Sequence, residues 1–262
     1  MKHARVTITV VCAFCLLPSF ARTQKVPQRP AAKVLRVAAA SDLQPVMAAF
    51  AAAFERETGV RLQVSFGSSN TLATQIVNGA PEDVFLSADF TAPEKIVAAG
   101  LATEKAPIPY AQGTLVLWAR KDSPIQPLSM EKLSDPRVTR IAVADEFHAP
   151  YGRAAFAALR WLKLYEPLKP KLVIAENVSQ AAQFVESGNA QAGFLSLTTA
   201  NAQHFAEIGS YVRVPTIYPK IRQCGVVLKA SPHIEEASRF LTWMTSPKVQ
   251  AQLTHYGLEP VQ

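Results

Sequence analysis

From Val34 to Leu197 the chain alternates short β-type apolar runs with amphipathic stretches that close on glycine or a polar residue. That alternation restricts the fold more than any other feature of the sequence. The run Val34 to Ala40 precedes a helical pattern over Leu43 to Thr58, stopped by Gly59, and Leu62 to Phe66 precedes one over Thr71 to Asn78, stopped by Gly79. Asp83 to Ser87 then leads into Ala92 to Ala99, stopped by Gly100. After a strong strand at Thr114 to Arg120 the theme resumes: strand Arg140 to Ala144, helix Gly152 to Leu164, strand Lys171 to Ala175, helix Ser179 to Ser187, strand Ala192 to Leu197. Strands separated by helices of 10 to 15 residues predict parallel sheets with right-handed crossovers. A strand at Val226 to Leu228 and helices at Ile234 to Thr245 and Pro247 to Tyr256 complete the pattern. The length of 262 residues, 49% of them hydrophobic, accommodates two α/β units with buried cores.

The first residues belong to a different logic. Lys2 and Arg5, the apolar run Val6 to Leu17, and the small residues of Ser19-Phe20-Ala21 form the pattern of a secretory leader over 1–21, and Arg22 to Lys33 reads as a flexible spacer. The apolar run is short of the ~20 residues that span a bilayer. Removing the leader takes two of the 27 Lys and Arg and none of the 20 acids, leaving a net charge near +5. Those charges are dispersed and lack interleaved aromatics, which argues against nucleic acid as a partner. Cys12 and Cys15 leave with the leader, so Cys224, in an apolar strand-like run, has no partner for a disulfide and reads as a buried thiol.

Parallel sheets place ligands beyond the carboxyl ends of their strands, where helix N-termini present unpaired N–H groups. Four such junctions carry donors. Ala38-Ala39-Ala40-Ser41-Asp42 offers the Ser41 hydroxyl with Asp42 as a helix cap, and Phe66-Gly67-Ser68-Ser69-Asn70-Thr71 packs four polar side chains onto a helix start. The loop Ala144 to Arg153 brings the Tyr151 phenol, and Glu176-Asn177-Val178-Ser179-Gln180 the N–H of Val178. Neutral donors and positive helix ends together can surround a small anion without Lys or Arg. A site made only of donors accepts a fully deprotonated oxyanion and disfavours anions that carry a proton.

At these residues the chain resembles the periplasmic molybdate-binding proteins. The resemblance runs through Val37 to Ser41, Ser65 to Ile76 (SFGSSNTLATQI), Asn78 to Asp89, His148-Ala149-Pro150-Tyr151-Gly152-Arg153 and Glu176-Asn177-Val178. It implies a two-lobed type II periplasmic-binding (clamshell) fold, with lobe I over 34–112 plus 222–262 and lobe II over 113–221, joined by a hinge of two crossing segments. By motif, Ser41 and Ser69 correspond to hydroxyl ligands of the oxyanion, Tyr151 to a ligand from the second lobe and Val178 to a backbone donor. Asp42 and Ser68 are weaker candidates through their N–H groups, with the Asp42 carboxylate expected to turn back as a cap. The resemblance departs at Gly193 to Leu197, where many relatives carry a tyrosine and this chain does not; in a related branch the tyrosine of APYG takes that place.

What the resemblance implies is a non-enzymatic binding protein. It would capture molybdate or tungstate in the periplasm as a monomer and deliver it to the membrane permease of an ABC importer. No cofactor is expected, and metal enters only inside the oxyanion. The alternatives are a receptor for another oxyanion such as sulfate and, more distantly, a secreted serine hydrolase using Ser68 or Ser69 with His148. The second lacks a G-x-S-x-G elbow.

Overall fold

The computed structural model describes residues 33–261; the leader expected over 1–21, and the spacer except for Lys33, lie outside the described residues. The first strand, β1 (Val34–Ala40), is apolar apart from Arg36 and takes an interior place in a sheet. Helix α1 (Gln44–Thr58) starts with a proline in its first turn and ends where Gly59 adopts φ 73, its N–H bonded to Glu55 O at 2.8 Å. It leads to β2 (Arg61–Gly67), α2 (Ser69–Val77), β3 (Val84–Ser87), α3 (Thr91–Ala98) and β4 (Ile108–Gly113). The chain then enters a second sheet at β5 (Leu115–Arg120) and β6 (Ile141–Ala144). It continues through α4 (Pro150–Trp161), α5 (Tyr165–Leu168), β7 (Leu172–Ala175), α6 (Val178–Glu186), β8 (Ala192–Ser196), α7 (Leu197–Asn201), α8 (Gln203–Ile208) and β9 (Gly209–Arg213). It returns with β10 (Ile221–Val227), α9 (Ile234–Met244), α10 (Pro247–Gln250) and β11 (Leu258–Glu259).

The first sheet has the order β11-β4-β10-β3-β1-β2 and the second β7-β6-β8-β5-β9. In the first, β1 runs parallel to β2 and β3 while β10 is antiparallel to β3; in the second, β6 runs parallel to β7 and β8 while β5 is antiparallel to β8. Side chains alternate between two cores on either side of each sheet. Leu35, Val37 and Ala39 meet Phe50 and Phe54 of α1 and Phe240 of α9, while Ala38 faces Leu72 and Ile76 of α2. The two α/β lobes expected from the alternation are therefore present.

Several details differ from the sequence reading. Strand β4 escapes the apolar pattern because Pro109 and Gln112 interrupt it, and it exists through its ladders to β10 and β11. Gly113 and Ile221, at the ends of β4 and β10, pair with each other in the first sheet. The crossing between sheets is then Thr114 alone on the way out and residues 214–220 on the way back. The C-terminal helix expected over Pro247 to Tyr256 ends at Gln250, whose side-chain amide donates to the carbonyls of Tyr110 and Met244 at 2.8 Å each. Cys224 is buried in β10 as expected, its thiol donating to Asp89 O at 3.1 Å.

Candidate functional site

Each sheet ends its parallel strands at helix starts, and four of those starts converge between the lobes. Ser41, Asp42, Ser68, Ser69, Tyr151 and Val178 all line one small cavity of about 10 Å³, the space of roughly one water. No Lys or Arg lines it. Every sequence-derived candidate is therefore brought to a single place, although Ser41 and Ser69 lie in one lobe and Tyr151 and Val178 in the other.

The donors differ in what they already hold. Ser41 is buried, and its hydroxyl makes no hydrogen bond to the other described residues. The Ser69 hydroxyl accepts the Ala88 N–H at 3.1 Å, which occupies a lone pair and leaves its proton to give. Ser68 shares a 2.7 Å bond with the Thr71 hydroxyl and precedes α2 in extended conformation, so the first N–H groups of α2 have no intrahelical acceptor. One of them, Asn70 N–H, donates across the cleft to His148 O at 3.2 Å. At α6, Asn177 caps Gln180 N–H at 3.0 Å and the Gln180 side chain reaches back to Glu176 N–H at 2.7 Å. That arrangement fixes the helix start and leaves the Val178 N–H without an intrahelical acceptor.

Asp42 corrects the sequence reading. The 3₁₀ turn over Ser41–Leu43 has no side-chain cap; the Asp42 carboxylate instead points into the joint between lobes, where Tyr151 Oη donates to its Oδ2 at 3.1 Å and Gln223 Nε2 donates to the same oxygen. A cap would have kept the carboxylate in contact with its own helix, but among the described residues the side-chain donors that reach it are this phenol and amide. Its Oδ1 and the Gln223 Oε1 are buried without partners. Burial pushes the Asp42 carboxyl up to about 7, against the opposing effect of the bonds from Gln223 and Tyr151. The same burial holds the Tyr151 phenol well above its ordinary value, so it remains a neutral donor.

Other bonds tie the lobes around this cavity. Thr198 Oγ1 donates to Asp42 O at 2.6 Å, Ser179 Oγ to Gln44 Oε1 at 2.6 Å, Asn70 Nδ2 to Phe147 O at 2.8 Å, and Arg153 pairs with Asp89. Gly113 is required for the joint: a Cβ there would lie 2.2 Å from Tyr151 Oη and 3.2 Å from Gln223 Nε2. Sequence reasoning missed Gln223, Thr198 and Gly113. The available signal for Gln223 was its place directly before the apolar run Cys224 to Leu228; it is fully buried here. Ser196, in the segment where relatives carry a tyrosine, spends its hydroxyl on capping Thr199 N–H and bonding Thr198.

A nucleophile–base pair is not assembled. His148 Nδ1 bonds Asp145 Oδ1 at 2.7 Å, and neither Ser68 nor Ser69 is hydrogen-bonded to it. Among the described residues no cluster of His, Cys, Asp and Glu is placed to hold a metal ion, and no helix is long and apolar enough to cross a membrane.

The profile of the bacterial extracellular solute-binding protein family matches residues 35–259. The molybdate-binding protein ModA of Rhodobacter capsulatus is 35% identical over 228 residues, covering 87% of this chain and 88% of that protein. The solved structure of the periplasmic molybdate-binding protein of Azotobacter vinelandii superposes with a TM-score of 0.80 at 34% identity, over 87% of this chain and 100% of the other. The sulfate-binding protein SubI of Mycobacterium tuberculosis H37Rv, at 16% identity and a TM-score of 0.74 over 88% of each chain, shares the fold.

Proposed function

The chain belongs to the molybdate-binding branch of the bacterial extracellular solute-binding proteins, and from that premise we propose that it captures molybdate, or tungstate, in the cavity between its lobes. One observation carries the reading: every polar group lining the cavity is an uncharged donor or a helix N-terminus except Asp42. Ser41 and Ser69 would give hydroxyl protons to the anion, Tyr151 its phenolic proton, and Val178 its N–H, with Ser68 and Asp42 contributing backbone N–H groups. The molybdenum would be enclosed by its own four oxygens and take no ligand from the protein.

Neutral donors suit a carrier. They replace the hydration of a doubly charged guest without the fixed counter-charge of an ion pair, so the guest can be given up again. The number and spacing of the donors that meet the guest would then be the basis of selection. Thr114 and residues 214–220, the two links between sheets, would act as the hinge between lobe I and lobe II. The protein would be exported through the leader at 1–21, work as a monomer in the periplasm, and pass its cargo to the permease of an ABC importer.

Calorimetric titration of the purified protein with molybdate, tungstate, sulfate and phosphate tests this directly. Molybdate and tungstate are expected to bind at least a hundredfold tighter than the other two. Equal or tighter binding of sulfate would overturn the choice of anion.

A further inference from the structure

Tyr151 has one proton and two claims upon it. Its oxygen lies 3.1 Å from Asp42 Oδ2, and both side chains are buried. An ionised carboxylate only accepts, so beside it the phenol must point its proton at Asp42 and turn lone pairs toward the cavity. Lone pairs repel the oxygens of an anion. If Asp42 instead carries a proton, the bond reverses: the acid donates to Tyr151 Oη, and the phenolic proton is released to the cavity. The same change removes a negative charge from the wall of a cavity otherwise made of donors.

We propose, resting on the oxyanion reading above, that capture of the anion is accompanied by uptake of one proton from solvent onto Asp42, which thereby acts as a positioning residue that turns the Tyr151 hydrogen bond toward the anion.

The surroundings of Asp42 favour the acid. The groups that face it are the Tyr151 phenol from α4, the Tyr110 phenol from β4, the Gln223 amide from β10 and the Thr198 hydroxyl from α7, and none is charged near neutral pH. No cation pairs with it among the described residues. Both donors that reach the carboxyl group share Oδ2, while Oδ1 has none, an arrangement that leaves half of a carboxylate's charge unsolvated. Burial already brings its titration to about 7, and a dianion alongside adds repulsion that the proton relieves. The balance is simple: one proton enters with the anion and leaves with it, and the anion stays fully deprotonated.

The test is calorimetry with molybdate at pH 8 in two buffers of different ionisation heat, followed by affinity measurements from pH 6 to 9. Uptake of close to one proton is expected. The affinity should fall about tenfold between pH 8 and 9, the slope of a single linked proton. In Asp42→Asn, which is neutral at every pH, both the uptake and the slope should vanish. Tight binding by the unaltered protein with no proton uptake and a flat pH profile overturns the proposal, and that count stands whether or not the variant folds. Absence of molybdate binding at any pH would instead overturn the oxyanion reading itself, and this inference with it.

Discussion

Strands β2-β1-β3 with antiparallel β10 in the first lobe, and β7-β6-β8 with antiparallel β5 in the second, are the same arrangement built twice from unlike sequences. Each points helix starts at the cleft, yet they equip those starts differently. The first lobe brings the side-chain hydroxyls of Ser41, Ser68 and Ser69; the second brings a buried phenol and the bare backbone of Val178. Helix N-termini therefore come with the topology, while the side chains on them are free to vary. The hydroxyls of the first lobe can rotate to meet a guest, whereas the phenol of the second is held by Asp42.

The rigidity of the second lobe is the first thing to break. At Gly152 a Cβ would lie 2.2 Å from Asp145 O and 2.5 Å from Ala144 O, backbone atoms that cannot yield, while at Gly67 it would meet only the tip of Leu72 at 3.1 Å. Gly152→Ala is expected to lower stability in urea unfolding by ~3 kcal/mol and to abolish molybdate binding, with Gly67→Ala costing under ~1 kcal/mol. Equal losses would erase the contrast between a hard and a soft lobe.

Within the first lobe, Ser69→Ala removes a donor to the anion and also strands the buried Ala88 N–H, so binding and stability should both fall, by ~1–3 and ~1–2 kcal/mol. Ser41→Ala removes a hydroxyl with no hydrogen-bond partner among the described residues, and its stability should stay within ~0.5 kcal/mol of the parent while binding weakens. Unfolding curves that drop alike for the two variants would show that the Ser41 hydroxyl is not free. From the other lobe, Tyr151→Phe should weaken molybdate by ~1–3 kcal/mol in calorimetry.

Asp42 sharpens the comparison through pH. Burial raises its folded titration from 3.8 to about 7, so between about pH 4 and 7 the folded protein holds a proton that the unfolded chain has lost. Its contribution to stability is full below that window and declines as pH rises through it. In Asp42→Asn the decline should be absent, leaving the variant more stable than the parent at pH 8 in ligand-free urea unfolding. A smaller effect is expected at the cleft edge, where the Arg153–Asp89 pair is partly exposed: Arg153→Gln should change molybdate affinity by ~0.5 kcal/mol, less at high salt.

How much of this was legible beforehand follows from sequence separation. Helices α1, α2 and α3 each close on a glycine with positive φ one or two residues past their last turn, and their ends were read to within about two residues because the signal is local. The junction donors were legible for the same reason: Ser68 and Ser69 stand beside their own helix start. Asp42 was misread because its partner is not local. Gln223 lies 181 residues away, and no local rule says that a cap-type residue will be claimed by a strand from the far end of the chain. Strands β9 and β11 were missed likewise; the two residues of β11 have no pattern of their own and are defined by pairing with β4.

The two links between the sheets are of unequal length, and in the proposed hinge that would set how the halves move. Thr114 alone joins β4 to β5, a joint with two torsions and no slack, while 214–220 forms a seven-residue strap carrying Pro215 and Pro219. A single-residue joint behaves as an axle: it permits swinging but not sliding, and travel grows with distance from it. In the proposed closure Tyr151, packed against Gly113 next to that axle, would be displaced least, so the phenol and its acid neighbour would serve as the bearing about which the halves turn.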